Sequence, residues 1–530
     1  MKVTNFKNFQ INKKSNNIIL FILISFSVYT ALIVGETWDE SYEILRGKVT
    51  IEYLFPLGQI DNYISDRERN SNLYYSILYF LTNVFPNKHQ IEASHLINLF
   101  FSISAIFGLG KICRELFNKQ VGNIAFFLLF IFPIFFGHMA FNSKNTILAF
   151  SHVWIFYLIL KYLKNQNDKD KSSKYILLIG ILTSLATGIQ FVFIGSLIPI
   201  VIFCFLEIFI YKKIINNIFS VKKLLIDLIK CFIIFYSLLI LFWIDVHPNI
   251  ISLPYTIISN MFSDDFWVGW SYNLINGNYY ESSNVSKLYI LINLIYKSPE
   301  FILLLYLIFF YFMFTSKEFF KKNFSFFNYK LSLIILFLIF ANLLPFFLNF
   351  PIYDGMRLFL WIIPYFCIIP ALAIFYLLEN FKNIKAKISL FISFSLFIYF
   401  LYNFFSITPY QYTYLNVFNG NKEKRYQKFE NDYWGASIEE LVKKSHFNEN
   451  ELIKLSTCGV NPKLAKKYLK KNGYINFVFV DAEKSDYLIM TNRTIFSENK
   501  ISNCFDVYKG VDIFKVQRDK VSLSVIRKKI

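Results

Sequence analysis

Charged residues are scarce in this sequence. They make up 17% of its 530 residues, against 55% hydrophobic ones, too few to wet the surface of a water-soluble globule. Cysteine is sparse as well. The six present show neither CxxC nor Cys/His spacing, so neither a zinc site nor a disulfide framework is legible. Cys113, Cys204, Cys231 and Cys367 fall in or beside apolar stretches. Cys458 and Cys504 keep two readings: a pair if they face an oxidising compartment, or, as the default, two partly buried free thiols. Internal repeats and low-complexity tracts are absent beyond a bias to Ile, Lys, Asn and Phe. No small-residue cleavage site follows the first apolar run, which is therefore expected to stay as an anchor. The net charge of +19 does not call for nucleic acid, because the lysines gather in short connectors between apolar stretches.

What is present is a succession of apolar segments of roughly 20 residues, the length a helix needs to cross hydrocarbon. Barrel strands of about ten alternating residues do not match. Spans are expected at 17–35, 92–112, 121–139, 145–163, 174–190, 191–211, 229–246, 299–315, 331–349, 356–379 and 388–407, about eleven helices in all. The segments 174–190 and 191–211 could also form one bent span. The lysine-rich connectors 161–174, 211–230 and 315–330 alternate with lysine-poor ones, which places the amino terminus in the cytoplasm and the carboxyl terminus outside. Membrane lipids are thus expected partners.

Two outer connectors, 36–91 and 247–299, are long. The first carries "NLYYSILYFLTNVF" (Asn72 to Phe85), too short to span and suited to a helix lying in the interface plane. From about Thr408 the apolar spans stop. The remaining residues, 408–530, are expected to form a small extracytoplasmic α/β domain, with helices in "ASIEELVKKS" and "PKLAKKYLKKNG" and strands in "YINFVFV", "DYLIM" and "CFDVYKGVDIFKV", the last turning at Lys509 and Gly510. The fold class is an all-α polytopic membrane domain, 1–407, followed by that domain.

Candidate chemistry clusters on the outer side. "GETWDESYEILRG" sets Asp39 and Glu40 just beyond the first span, where carboxylates are inexpensive at a wet boundary. "YDGMRLFLWIIPYF" puts Asp354 and Arg357 three residues apart, on one helical face, at the start of a late span. "FFGHMAFNSKN" gathers His138, Asn142, Lys144 and Asn145. Each group has a bland reading, as a helix exit, an ion pair or a satisfied hydrogen bonder. Their coincidence on one face is what points to a site.

These residues resemble the GT-C membrane glycosyltransferases, the group that includes protein O-mannosyltransferases and the lipid A aminoarabinose transferase. The likeness to family 39 type bacterial members runs over nearly the whole chain. It includes the acidic pair after the first span, "PIFFGHMAFNSKNTILAF", "NGNYYESSNVSKLYILINLIYKSPEFILL", "IYDGMRLFLWIIP", "TPYQYTYLNVFNG" and "FENDYWGASIEEL". The resemblance implies a bacterial cytoplasmic-membrane enzyme that moves a sugar from a polyprenyl-phosphate donor to a lipid, glycan or protein acceptor at the outer face, with inversion. It implies Asp39 as the base, with Glu40 orienting it or joining a cation site; whether a divalent cation takes part is left open. Arg357, Lys144, Arg46 and Lys48 are the cations available to the leaving phosphate, Arg357 first because its planar fork matches phosphate oxygens. His138, Asn142, Asn145, Tyr353, Asp354, Asp432 and Trp434 are expected around the substrates, Trp434 by stacking on a sugar ring, while "DYWG" (Asp432 to Gly435) reads equally as a turn that packs the C-terminal domain on the bundle. One departure stands out: Asn145 occupies a position where relatives carry an acid, and an amide neither takes a proton nor carries charge to a cation. A transporter or flippase of lipid-linked saccharides, and a lipid-glycan polymerase or ligase, are the alternatives. A transporter would place ionisable groups near the midplane of two related halves. Neither feature is seen.

Overall fold

In hydrocarbon every backbone N–H and C=O must be bonded within its own segment, so long apolar runs become helices. The computed structural model describes residues 13–55, 70–215, 219–260, 269–347, 350–447, 451–497 and 499–529. The lysine-bearing leader before residue 13, the middle of the first outer connector and the Asp264–Val268 part of the second lie outside the described residues. A helix lies over each of the eleven expected stretches. Among the described residues, eight helices are long and apolar enough to cross a membrane: Asn87–Leu116, Asn145–Asn165, Lys169–Ile189, Phe193–Tyr211, Val221–Leu241, Phe327–Phe347, Arg357–Glu379 and Ile384–Ser406. The described parts of two others, Asn17–Ile33 and Lys119–Phe130, are shorter apolar helices. Lys119–Phe130 stops before Pro133, which opens a separate turn, Pro133–His138, because proline has no N–H to donate back. The segment that could have been one bent span is two helices, parted by Gln190 in extended conformation.

The remaining stretch, 299–315, belongs to a bent pair. Tyr289–Lys297 and Glu300–Thr315 meet at 111°, and the groups freed at the corner are bonded from far along the chain. Asn416 Nδ2 donates to the carbonyls of Ile295 (2.6 Å) and Ser298 (2.9 Å), while Glu300 accepts from the Val417 amide (2.8 Å) and the Tyr414 hydroxyl (2.9 Å). Glu207, near the end of helix Phe193–Tyr211, is likewise bonded, accepting from the Tyr329 hydroxyl at 2.6 Å and the Ile215 amide at 2.9 Å.

The stretch expected as a helix too short to span is the helix Leu73–Thr82, which packs on the protein with Tyr74 and Tyr75 fully buried. It lies against helix Glu40–Leu54 so closely that a Cβ on Gly47 would stand 1.9 Å from the Tyr75 carbonyl oxygen. Only glycine permits that approach, and it delivers Tyr75 to the face of the helix that carries Glu43.

Nine strands occur among the described residues: β1 Tyr272–Ile275, β2 Asn278–Glu281, β3 Ile453–Cys458, β4 Phe477–Phe479, β5 Tyr487–Thr491, β6 Thr494–Ser497, β7 Lys500–Asn503, β8 Val511–Arg518 and β9 Val521–Lys528. Five form a mixed sheet in the order β4-β3-β5-β9-β8, with β3 parallel to β4 and β5 and the rest antiparallel. Helix Pro462–Lys471 crosses between β3 and β4 and buries Leu464, Ala465, Tyr468 and Leu469. The expected turn at Lys509 and Gly510 is not the hairpin. Cys504–Val507 is a helical turn, and the chain reverses at Asp519 and Lys520, both with positive φ (47° and 67°), as a two-residue hairpin turn requires.

Cys458 and Cys504 are joined in a disulfide, which corrects the default expectation of free thiols. The cross-link spans 46 positions, for which loop-closure entropy gives about 4 kcal/mol. Replacing both cysteines by serine is therefore expected to cost the C-terminal sheet ~2–4 kcal/mol, read as a lower denaturation midpoint that reducing agent no longer moves.

Candidate functional site

Helix Glu40–Leu54 begins directly after the first apolar helix, and Asp39 sits at its N-cap position without using its side chain to cap. The carboxylate is thus free to turn to Lys144, whose Nζ lies 2.8 Å from Oδ2. Both side chains are partly exposed, 35% and 28% respectively. Burial alone would raise Asp39, but Lys144, Arg357 and Arg493 together hold it below the usual carboxylate range. The same group of cations keeps it ionised.

Consecutive residues at a helix start point about 100° apart, and Glu40 goes elsewhere. It is buried, accepts from the Thr37 amide (2.7 Å) and hydroxyl (2.9 Å), and lies 2.7 Å from His95 Nε2. The structure therefore does not bring Glu40 to Asp39. The acid that does join it is Glu43, one helical turn on. Glu43 is buried, accepts the Ser143 hydroxyl, and has Oε1 3.5 Å from Lys144 Nζ. Burial pushes it up to about 7, with Asp39 and Glu40 adding to the rise and Lys144 and Ser143 opposing it. Two buried oxygens nearby, Glu43 Oε1 and Tyr75 Oη, have no hydrogen-bond partner.

The raised Glu43 carries a testable sign. Between its ordinary 4.5 and about 7, the folded chain holds a proton that the unfolded chain has released, so stability falls as pH rises through that window. Glu43→Gln is expected to remove Glu43's share of that slope and leave the share of Glu430, which is also raised to about 7, measured as the denaturation midpoint between pH 5 and about 8.

A second group of charges lies at the start of helix Arg357–Glu379. Asp354 has a left-handed backbone (φ 60°) followed by a left-handed Gly355, a turn aspartate tolerates better than most side chains. It presents its two oxygens to two guanidinium groups: Arg357 Nη1 donates to Oδ2 at 2.7 Å and Arg493 Nη1 to Oδ1. All three residues are buried. Arg357 stacks at 5.1 Å from the Tyr353 ring and 4.7 Å from Trp434. Arg493, which follows β5, lies 4.3 Å from the Trp270 ring and 5.8 Å from Trp38. Glu430 is 3.5 Å from Arg493 and is pushed up by burial to about 7.

The other expected residues divide. His138 is buried, with Nε2 2.9 Å from the Tyr433 hydroxyl and Nδ1 3.4 Å from Asn142 Nδ2. Asn142 Oδ1 accepts from the Asn145 amide (3.0 Å) and side chain (3.2 Å), which shapes the turn that presents Lys144. Asn145 Oδ1 is buried without a partner. Asp432 is fully buried and consumed locally, accepting from the Ala436 and Ser437 amides (both 2.9 Å), the Ser437 hydroxyl (2.6 Å) and Tyr412. It caps the next turn and is not open to a sugar. Trp434 is also buried, 3% exposed, and its ring faces Arg357, so it is not free to stack on a substrate. Lys48 is outside the cluster, 3.7 Å from Glu52 on the helix surface. Arg46 stacks on Tyr75 at 5.0 Å, beside the group without an ion pair to Asp39 or Glu43. Among the described residues, no set of three His, Cys, Asp or Glu side chains is placed to hold a metal ion.

Glu43, Glu430 and Arg493 were not expected. For Glu43 the signal was its spacing of four from Asp39, which is visible once residues 40–54 are read as a helix. Arg493 sits in "TNRT", after β5, where no local pattern ties its charge to the distant clusters.

No protein-family model and no curated protein matches this chain. Solved structures do. ArnT from Cupriavidus metallidurans in the apo state is similar with a TM-score of 0.51 at 10% identity, over 97% of this chain and 98% of that one. The same ArnT bound to undecaprenyl phosphate gives 0.47 at 9% identity, over 96% and 98%. The Archaeoglobus fulgidus oligosaccharyltransferase in the apo form gives 0.48 at 12% identity, over 91% and 70%. The fold is GT-C-like, on the strength of the apo ArnT likeness.

Proposed function

We propose that this chain is an integral-membrane glycosyltransferase that moves a sugar from a polyprenyl-phosphate donor to a hydroxyl-bearing acceptor, with inversion. The observation that carries the reading is one arrangement: a partly exposed carboxylate, Asp39, beside Lys144 and in the field of Arg357 and Arg493, at one end of an apolar helix bundle. Lys144 lies on Asp39, and Arg357 and Arg493 share Asp354, so one ammonium and two guanidinium groups converge there. Such donors are the ones that phosphate oxygens take. The ArnT that shares the fold binds undecaprenyl phosphate.

In the proposed reaction the acceptor oxygen forms a bond to the anomeric carbon as the bond from that carbon to the phosphate oxygen breaks, its electron pair leaving on the phosphate. Arg357 and Lys144 stabilise the charge that develops there. Asp39 accepts the acceptor's proton. A carboxylate held low is a weak base at rest, but glycosyl transfer passes through an oxocarbenium-like state. An alcohol bonding to such a carbon becomes strongly acidic, so a weak base suffices once cleavage is advanced.

The reading includes an orientation, with the site on the side away from the cytoplasm. The Cys458–Cys504 disulfide fits an oxidising compartment, and the lysine-rich connectors fit the other side. The test supplies purified protein with labelled polyprenyl-phosphate sugars and candidate acceptors. Transfer of label supports the proposal, whereas movement of the donor across sealed vesicles without transfer would favour a flippase.

A further inference from the structure

Arg493 lies in the link between β5 and β6, 139 positions from Asp354, yet it touches the segments that carry Trp38, Trp270, Asp354 and Glu430. Its guanidinium shares Asp354 with Arg357. Its planar face lies over Trp270, whose Nε1 donates back to the Thr494 carbonyl at 2.8 Å. Trp270 packs edge to face with Trp38 at 5.5 Å, and Trp38 precedes Asp39. Arg493 thus bears on the proposed base through one tryptophan pair and on the proposed phosphate cation through one carboxylate.

The backbone of Arg493 is itself fixed. The Cys504 amide donates to the Arg493 carbonyl at 2.9 Å, and Cys504 is cross-linked to Cys458. Gly459, directly after Cys458, has φ +66°, and a Cβ there would stand 2.4 Å from the Arg493 Cβ. The Thr491 hydroxyl closes the clasp by donating to the Gly459 carbonyl at 2.7 Å. Such bracing is what a guanidinium needs if its direction matters more than its charge, since an unbraced arginine would spend time in other rotamers.

We infer that Arg493 is a positioning residue for transfer, supplied by the disulfide-braced C-terminal sheet, which aims Arg357 through Asp354 and sets Asp39 through Trp270 and Trp38. The inference rests on the transferase reading above. Placement errors of about 1 Å cost on the order of 100-fold in rate, and that is the loss expected for Arg493→Gln.

The test is a double-variant cycle with Arg357→Gln. The part of the loss that runs through Arg357 vanishes once Arg357 is gone, so Arg493→Gln is expected to cost clearly less than its ~100-fold in that background, the remainder being the route to Asp39. Losses that multiply in full would overturn the positioning of Arg357. Arg493→Lys keeps the charge but not the fork or the stacking. It is expected to melt like the parent while turning over at least about 10-fold more slowly, and full activity in that variant would also overturn the inference. A readout independent of turnover is amide hydrogen exchange at residues 354–357. Arg493→Gln should speed exchange there and leave the bundle core unchanged, while unaltered exchange at 354–357 removes the clamp. If the parent protein transfers no sugar at all, the transferase reading falls, and the exchange experiment still decides whether Arg493 holds the Asp354 turn.

Discussion

Asp39→Asn is expected, on the proposed transferase activity, to lower sugar transfer by about a thousandfold, within the range for loss of a general base, and to leave polyprenyl-phosphate donor binding within a few fold. The amide is nearly isosteric but accepts no proton. It also releases Lys144, whose other carboxylate, Glu43, is 3.5 Å away. Lys144 then draws closer to Glu43 and pulls its titration below about 7, because an opposite charge favours the ionised form. Two measurements check this together: turnover with labelled donor, and the pH dependence of the denaturation midpoint, whose falling limb should move to lower pH. Turnover within about 3-fold of the parent would remove Asp39 as the base.

Asp354→Ala has the second large effect, and it acts on stability. The substitution leaves Arg357 and Arg493 buried side by side without the carboxylate they share. Breaking a buried pair from one side costs about 3–5 kcal/mol because the remaining charge is uncompensated. Here two like charges remain, and Glu430 reaches only Arg493, at 3.5 Å. The expected result is a large fall in the thermal midpoint in detergent, with partial recovery in Asp354→Asn, which keeps one acceptor and tolerates the left-handed turn. An unchanged midpoint in Asp354→Ala would falsify the clamp.

The apolar helices were legible in the sequence because hydrocarbon leaves the backbone so few choices. What escaped were features set by distant contacts. The Asp519–Lys520 turn was missed because lysine is not a turn former, and its positive φ is imposed by the pairing of β8 with β9. The disulfide joins residues 46 apart, at no spacing that marks a pair. In the site, Asp39, Lys144, Arg357 and Asp354 were legible as charges at span ends and do share one cluster. Glu40 was not distinguishable from Glu43 without the phase of the helix. Asp432 and Trp434 were read as open because nothing local shows that the Ser437 turn and Arg357 consume them. Arg493 could not be placed at all, since its partners come from four separate parts of the chain.

The 111° corner in the span around Ser298 has a consequence for how this protein can be cut and recombined. Its carbonyls are bonded by Asn416 and its Glu300 by Val417 and Tyr414, so residues just past the final apolar helix complete the bundle from which they emerge. A truncation after residue 407 would leave those carbonyls and Glu300 without their partners, at about 1–3 kcal/mol for each group that stays buried, and a graft of a foreign ectodomain at that junction would do the same. Any seam for engineering chimeras lies beyond Asn419, whose side chain makes the last of these bonds, to the Tyr296 carbonyl.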